Sequence, residues 1–156
     1  MQSARDWHLA QINIAEAVAP LDDPIMAEFM DGIAHINALA EQAPGFIWRL
    51  QTDDGDATAI AAFDNPHMII NMSVWRDLAS LKAFVFTGDH LRYLQRKKDW
   101  FGRMNTPHLA CWWLRAGTTP SIEDGKAALA HLAAHGPSAA AFTIARPFAP
   151  PGEAAA

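Results

Sequence analysis

Residues 69–75 read Ile69-Ile70-Asn71-Met72-Ser73-Val74-Trp75. Successive side chains of a β-strand point to opposite faces of its sheet. The odd positions after Ile69 carry Asn71, Ser73 and Trp75, whereas the even positions carry only apolar side chains. The stretch therefore predicts a strand with one apolar face and one face that carries two polar groups and an indole ring.

Alternating patterns on both sides of this stretch predict three more strands, at residues 7–14, 46–51 and 108–114. The last of these is apolar on both faces, which predicts a central position in the sheet. A helix is expected between the first two strands, with Asp23 as its cap and Pro24 as its first residue. Asp77 is expected to cap another helix, and residues 90–101 form a further helical stretch.

The resulting order β-α-β-β-α-β is the split βαβ pattern, and a last helix follows between Pro120 and Gly136. We therefore predict an α+β fold: a ferredoxin-like, four-stranded antiparallel sheet with helices on one face and an extra C-terminal helix. The other face is expected to be open and to pair with a second copy, giving a homodimeric α/β barrel. Residues 1–145 are predicted as one domain, and the Pro/Ala-rich residues 146–156 as a flexible tail.

Charge and composition limit the partners. The chain of 156 residues has 12 Lys and Arg against 17 Asp and Glu. Nucleic acid is not expected as a partner, because phosphate binding needs a clustered positive surface. No run approaches the ~18 apolar residues of a membrane span, no signal peptide is visible, and Cys111 is the single cysteine. These features predict a cytoplasmic protein without a membrane partner.

Several side chains are candidates for chemistry. Trp75 is expected to line a cavity, beside Asn71 and Ser73. His90 falls on the inner arc of its helix and at the N-terminus, where the helix dipole favours a neutral imidazole that serves as general base. Tyr93, Lys97 and Trp100 fall on a flank of the same arc. Two of these residues also have a purely structural interpretation. His90 is then a packed histidine in the core, and Lys97 complements the dipole at the C-terminus of its helix.

The second predicted strand adds Trp48 on one face and Arg49 on the other. Arg49 is either a strand-edge residue or an anchor for an anion. On the last helix, His131 and His135 are four residues apart, but no third ligand follows, so no metal site is predicted.

The chain resembles a bacterial family of unknown function in the dimeric α/β-barrel superfamily. The stretches that carry the resemblance are 71–75, 9–13, 44–51, 100–101 and 135–137. More distantly, it is similar to antibiotic-biosynthesis monooxygenases, where an Asn and a Trp spaced like Asn71 and Trp75 support cofactor-free oxygen chemistry. In the similar haem-degrading monooxygenases the equivalent residues would be Asn13, Trp75 and His90, although those proteins place the His sooner after the Trp.

Together these features predict an enzyme for a small, flat, hydrophobic or aromatic molecule, with His90, Asn71 and Trp75 as catalytic residues and no cofactor. The residues expected to bind the substrate are Asn13, Trp48, Arg49, Ser73, Tyr93, Lys97 and Trp100. A non-catalytic binding or sensing module and a haem-binding protein are the alternatives.

Overall fold

A computed structural model describes residues 6–51, 63–102, 104 and 106–151. A single turn of 3₁₀ helix over Pro24–Met26 precedes the first α-helix. The remaining elements are β1 (Trp7–Glu16), α1 (Ala27–Gln42), β2 (Phe46–Arg49), β3 (Met68–Trp75), α2 (Leu78–Val85), α3 (Gly88–Gln95), α4 (Lys97–Trp100), β4 (Leu109–Arg115) and α5 (Ile122–His135).

The four strands form one antiparallel sheet in the order β2-β3-β1-β4. This order, with α1 between β1 and β2 and α2 to α4 between β3 and β4, is the ferredoxin-like split βαβ arrangement. The predicted ferredoxin-like α+β fold with a four-stranded antiparallel sheet is confirmed, including the additional helix α5. Residues 53–56, where the sequence Asp-Asp-Gly-Asp predicts a turn, and most of the segment 57–63 lie outside the described residues.

The predicted central position of the fourth strand is wrong, because β4 lies at one end of the sheet. Its outer edge is covered by the chain after α5. Cys111 donates its backbone N–H to the Phe142 carbonyl over 2.7 Å, and the Phe142 N–H donates back over 2.9 Å. This cover explains why an end strand is apolar on both faces.

A bulge in β2 changes which side chains share a face. Phe46 pairs with Trp75, and Trp48 pairs with Val74, so one residue of β2 is unmatched between them. Strict alternation would separate Phe46 from Arg49. With the bulge, both face the same side as the odd-numbered residues of β3, and Trp48 faces the other side.

The side of the sheet that carries the odd-numbered residues of β1 and β3 is covered by α1 and α2, and we call it the helix-facing side. Here Leu9 and Trp75 pack with Ala40 of α1 and Leu81 of α2. The sequence predicts that the opposite side is open. This prediction is wrong, because α5 covers that side. Ile12 and Met72 pack there against Ala128, Leu129 and Leu132 of α5.

The single helix predicted over residues 90–101 is two helices. The backbone breaks at Arg96, which has φ −99° and ψ 6°. The Arg96 guanidinium lies over the Trp100 ring, 4.8 Å from its centroid. The break directs Trp100 into a separate hydrophobic cluster with Met26 and Ile69, where the residue is only 2% exposed.

Candidate functional site: a polar row on the helix-facing side

A chain of hydrogen bonds crosses β1 and β3 on the helix-facing side. Gln11 donates from Nε2 to Ser73 Oγ over 2.8 Å and to Asn71 Oδ1 over 2.7 Å. Trp75 donates its indole N–H to the same Ser73 Oγ over 2.8 Å. Gln11 and Ser73 are buried, at 5% and 7% exposure. We call Gln11, Asn71, Ser73 and Trp75 the polar row.

Gln11 was not among the residues that the sequence singled out. Its side chain faces the same way as Leu9 and Asn13, so the alternation of β1 held the signal. What the sequence could not supply was the pairing register, which sets Gln11 opposite Ser73 and Asn13 opposite Asn71. The register is therefore what assembles the row.

Asn71 forms the open end of the row. It is exposed, and so is Asn13, its register partner on β1. Because Gln11 occupies Oδ1 of Asn71, the Nδ2 group is the part of this amide that is left to meet a ligand. Asn13 and Asn71 thus present two neighbouring amides on a sheet face that is otherwise packed beneath helices.

Trp75 does not line an open cavity, and that expectation is wrong. The residue is 1% exposed. Phe46 meets its ring edge-on at 5.5 Å between centroids, and Phe84 stacks on it at 5.3 Å. The indole is a filled part of the core, held at its polar end by Ser73.

His90 is the third residue of α3 and is half-buried. Its Nδ1–H donates to the Val85 carbonyl over 3.0 Å, which leaves the lone pair on Nε2. Burial lowers the pKa of His90 below its ordinary value, and the hydrogen bond to Val85 opposes this effect in part. The neutral imidazole expected from the helix dipole is thus favoured chiefly by desolvation.

Phe84 lies between Trp75 and His90. Its ring centroid is 5.3 Å from that of Trp75 and 5.0 Å from that of His90. The set Asn13, Trp75 and His90, implied by the resemblance to haem-degrading proteins, is therefore separated by a phenyl ring. These residues do not fit a haem held between the Trp and the His.

Arg49 lies on the helix-facing side of β2, opposite Ser73. β2 is an edge strand, as the edge interpretation of Arg49 predicts, but the side chain is only 10% exposed. Both Nε and Nη2 donate to Oε1 of Glu41 at the end of α1, over 3.0 and 2.9 Å. Nη1 is buried without a hydrogen-bond partner among the described residues.

The other predicted binding residues lie away from the polar row. Trp48 is on the opposite side of the sheet and packs against the core beneath α5. Tyr93 stacks on buried Trp100 at 5.5 Å between ring centroids. Lys97 is exposed. Tyr93, Lys97 and Trp100 therefore do not line one site together. Tyr93 and Trp100 belong to the core around Met26, whereas Lys97 lies on the surface.

Cys111 is buried next to the row, since it pairs with Gln11 in the register of β1 and β4. Burial raises the pKa of its thiol to about 12. A thiol of this kind is protonated at neutral pH and is a poor nucleophile.

Two surface grooves occur elsewhere. One, of about 420 Å³, lies between the end of α1 and α2, and its lining includes Phe84. The other, of about 310 Å³, lies beside α5, and its lining includes Trp112 and His131. Neither groove is lined by the exposed amides of Asn13 and Asn71.

No cluster of three or more His, Cys, Asp and Glu suited to a metal ion occurs among the described residues. His131 and His135 are near each other, with ring centroids 4.5 Å apart. No helix within the described ranges has both the length and the apolar character needed to cross a membrane.

A family model described as "Domain of unknown function (DUF3291)" matches residues 8–156, nearly the whole chain. The chain belongs to the DUF3291 family. This confirms the resemblance to a family of unknown function. No curated protein matches the chain.

Several solved structures resemble this DUF3291 protein at low identity. PA3566 from Pseudomonas aeruginosa is 16% identical, with 73% of this chain and 98% of that chain covered, at a TM-score of 0.48. SnoaB, a cofactor-independent oxygenase from Streptomyces nogalater, is 17% identical, with 72% and 95% covered, at 0.44. Rv0793 from Mycobacterium tuberculosis is 12% identical, with 73% and 99% covered, at 0.47. Such scores say nothing about activity, and the fold assignment depends on the strand order of this chain.

Proposed function

We propose that this DUF3291 protein is an enzyme that binds a small, flat, hydrophobic or aromatic molecule at Asn13 and Asn71 and oxygenates it without a cofactor. The observation that carries the proposal is the hydrogen bond from Gln11 to Asn71 Oδ1. It fixes the orientation of an exposed amide, so that Nδ2 is directed as a donor towards a bound oxygen atom. A donor fixed before the reaction stabilises a charge that develops later.

The proposed chemistry starts from a substrate with an acidic CH₂ group next to a carbonyl or phenol. Removal of the proton gives an enolate, and the Asn71 Nδ2–H donates to its oxygen. The enolate passes one electron to O₂, and the two radicals join in a C–O bond. The resulting peroxide anion takes back the proton to give a hydroperoxide, which eliminates water, made from the second hydrogen of that carbon and the outer OH group, to leave a ketone. One O₂ is consumed, one oxygen atom enters the product and the other leaves as water.

His90 is the proposed base. Its free Nε2 lone pair and its lowered pKa keep the ring ready to accept a proton at neutral pH. The substrate has to reach past Phe84 to meet Nε2 of His90, and a substitution of His90 tests this role directly. His90→Gln retains hydrogen bonding and removes the base, so a general base should lose about 10²–10⁴ in rate.

The test is oxygen uptake with 1,8-dihydroxyanthrone, a flat aromatic ketone whose central carbon is acidic. Asn71→Asp keeps the acceptor for Gln11 and replaces the N–H donor by an oxygen that repels an enolate. We expect uptake above the spontaneous rate for the wild type and a loss of about 10²–10³-fold in Asn71→Asp. Gln95→Ala, an exposed amide on α3, is the matched control and should keep the full rate.

A non-catalytic binding module is the second candidate. It is favoured by the composition of the polar row, which consists of two amides, a hydroxyl and an indole N–H and contains no acid or base. A shift of the Trp75 indole N–H signal on adding the anthrone, without oxygen uptake above background, would support this candidate and reject the enzyme.

A homodimer is proposed as the assembly, although α5 already covers the sheet face first expected to carry it. Exposed Ile47 on β2 offers an apolar contact at the edge of the sheet. Light scattering of the intact chain tests the proposal, and a monomeric mass at micromolar concentration contradicts it.

A further inference from the structure

The guanidinium of Arg49 has one occupied edge and one empty edge. The Nε and Nη2 edge meets Glu41, whose side chain is 48% exposed. Nη1 is on the other edge of the planar group, and this nitrogen is buried without a hydrogen-bond partner among the described residues. The empty edge is therefore the part of the guanidinium that lacks an acceptor.

A buried guanidinium N–H without an acceptor is costly, and native proteins rarely leave one. Glu41 does not relieve this cost, because its carboxylate accepts only from Nε and Nη2. The carboxylate does offset part of the Arg49 charge. What Nη1 lacks is an acceptor, and an acceptor with negative charge gives the strongest bond to a guanidinium.

Arg49 is also placed to reach the proposed site. Its register partner is Ser73, so Asn71 lies two residues along β3 as a diagonal neighbour on the same face. Diagonal neighbours lie about 7–8 Å apart, which long side chains can span. A molecule over Asn13 and Asn71 could therefore present an acidic group to Nη1 once it takes the place of the side chains that bury this nitrogen.

We propose that the ligand of this site carries an oxyanion, either a carboxylate or an acidic phenolate or enolate, which accepts a hydrogen bond from Arg49 Nη1. This inference depends on the proposed binding site at Asn71 but not on oxygenation. It narrows the ligand from any flat hydrophobic molecule to an aromatic acid.

Two matched probes test the charge: 2-naphthoate and the neutral 2-naphthamide, titrated against the intact protein while the Trp75 indole N–H signal is followed. The wild type should bind the acid about tenfold or more tightly than the amide. Arg49→Gln should abolish this preference. Arg76→Gln should keep it, because Arg76 is an exposed arginine paired with Asp77.

Glu41→Gln gives a second test that keeps Arg49 in place and retains an oxygen that can accept from its Nε and Nη2. Removing the exposed carboxylate leaves the guanidinium charge uncompensated, so naphthoate should bind more tightly and naphthamide should be unaffected. Equal binding of the two probes by the wild type, or a preference retained in Arg49→Gln, overturns the inference and leaves the site at Asn71 standing. Failure of both probes to bind overturns the inference and counts against the proposed function as well.

Discussion

The indole N–H of Trp75 donates to the hydroxyl oxygen of Ser73 over 2.8 Å, two residues earlier on the same strand face. The same oxygen accepts from Gln11 Nε2. One small side chain thus satisfies two larger buried groups and fixes both the indole and the amide that orients Asn71. Ser73 is consequently the residue on which the order of the site depends most.

Ser73→Ala should destabilise the protein by about 1–3 kcal/mol for each donor left unsatisfied, with Trp75 Nε1 and Gln11 Nε2 as the two affected groups. Urea unfolding measures the loss. Thr118→Ala removes a hydroxyl that is exposed and should change the free energy of unfolding far less. Equal effects of the two substitutions would show that the polar row is not a stabilising network.

Trp75 should behave as a core residue. Trp75→Ala should cost about 3–5 kcal/mol, because it removes a fully buried ring that packs on Phe46 and Phe84. Trp75→Phe keeps part of the packing and should cost less. Near-wild-type stability of Trp75→Ala in thermal and chemical unfolding would instead restore the cavity-lining role expected from the sequence.

The succession of strands and capped helices along the chain could be predicted from the sequence because their signals are local. Alternation marked β3, and Asp77 was correctly expected as a cap, since its Oδ1 accepts from the Ser80 N–H over 2.8 Å. The side chains of β1 that face the site also follow from alternation. Such features need no knowledge of distant contacts.

The remaining features depend on long-range contacts that leave no local trace. The pairing of Phe142 with Cys111 allows an apolar strand at the end of the sheet. The bulge in β2 moves Arg49 to the same side as Phe46, and the position of Phe84 separates His90 from Trp75.

The chain also remains in contact with the domain beyond residue 145, because Trp113 donates its indole N–H to the Phe148 carbonyl. The predicted mobility of the tail stays a prediction.

His90 should make stability depend on pH. Its folded-state pKa is lowered, so the unfolded chain takes up a proton as the pH falls below about 6.5 while the folded chain resists protonation. Stability linked to His90 is therefore complete above that pH and is lost as the pH falls towards the folded pKa. Urea midpoints at neutral and mildly acidic pH should differ more for the wild type than for His90→Gln.

His108→Gln is the control for this measurement, because His108 is an exposed histidine. It should leave the pH dependence of the wild type unchanged. A pH dependence that is the same in His90→Gln and in the wild type would mean that His90 does not titrate differently in the folded and unfolded states.

Cys111 should be unreactive in the folded protein. Burial raises its thiol pKa to about 12, so very little thiolate forms at mildly alkaline pH. A chromogenic disulfide reagent should label the protein stoichiometrically in denaturant and very slowly without it. Fast labelling of the folded protein would show that β4 and the Phe142 segment separate readily.

A larger side chain at Gly125 should destabilise the protein, because α5 lies so close to the sheet there. A Cβ atom at this position would stand 2.7 Å from Cδ1 of Ile12 and 3.2 Å from Sδ of Met72. Gly125→Val should therefore cost about 1–3 kcal/mol through overpacking, even though replacing Gly favours a helix locally. Ala130→Val on the exposed face of α5 is the matched control and should cost well under half as much. If the two substitutions have the same effect on the urea midpoint, α5 does not pack on β1 and β3 in solution, and the sheet face is free for a second copy.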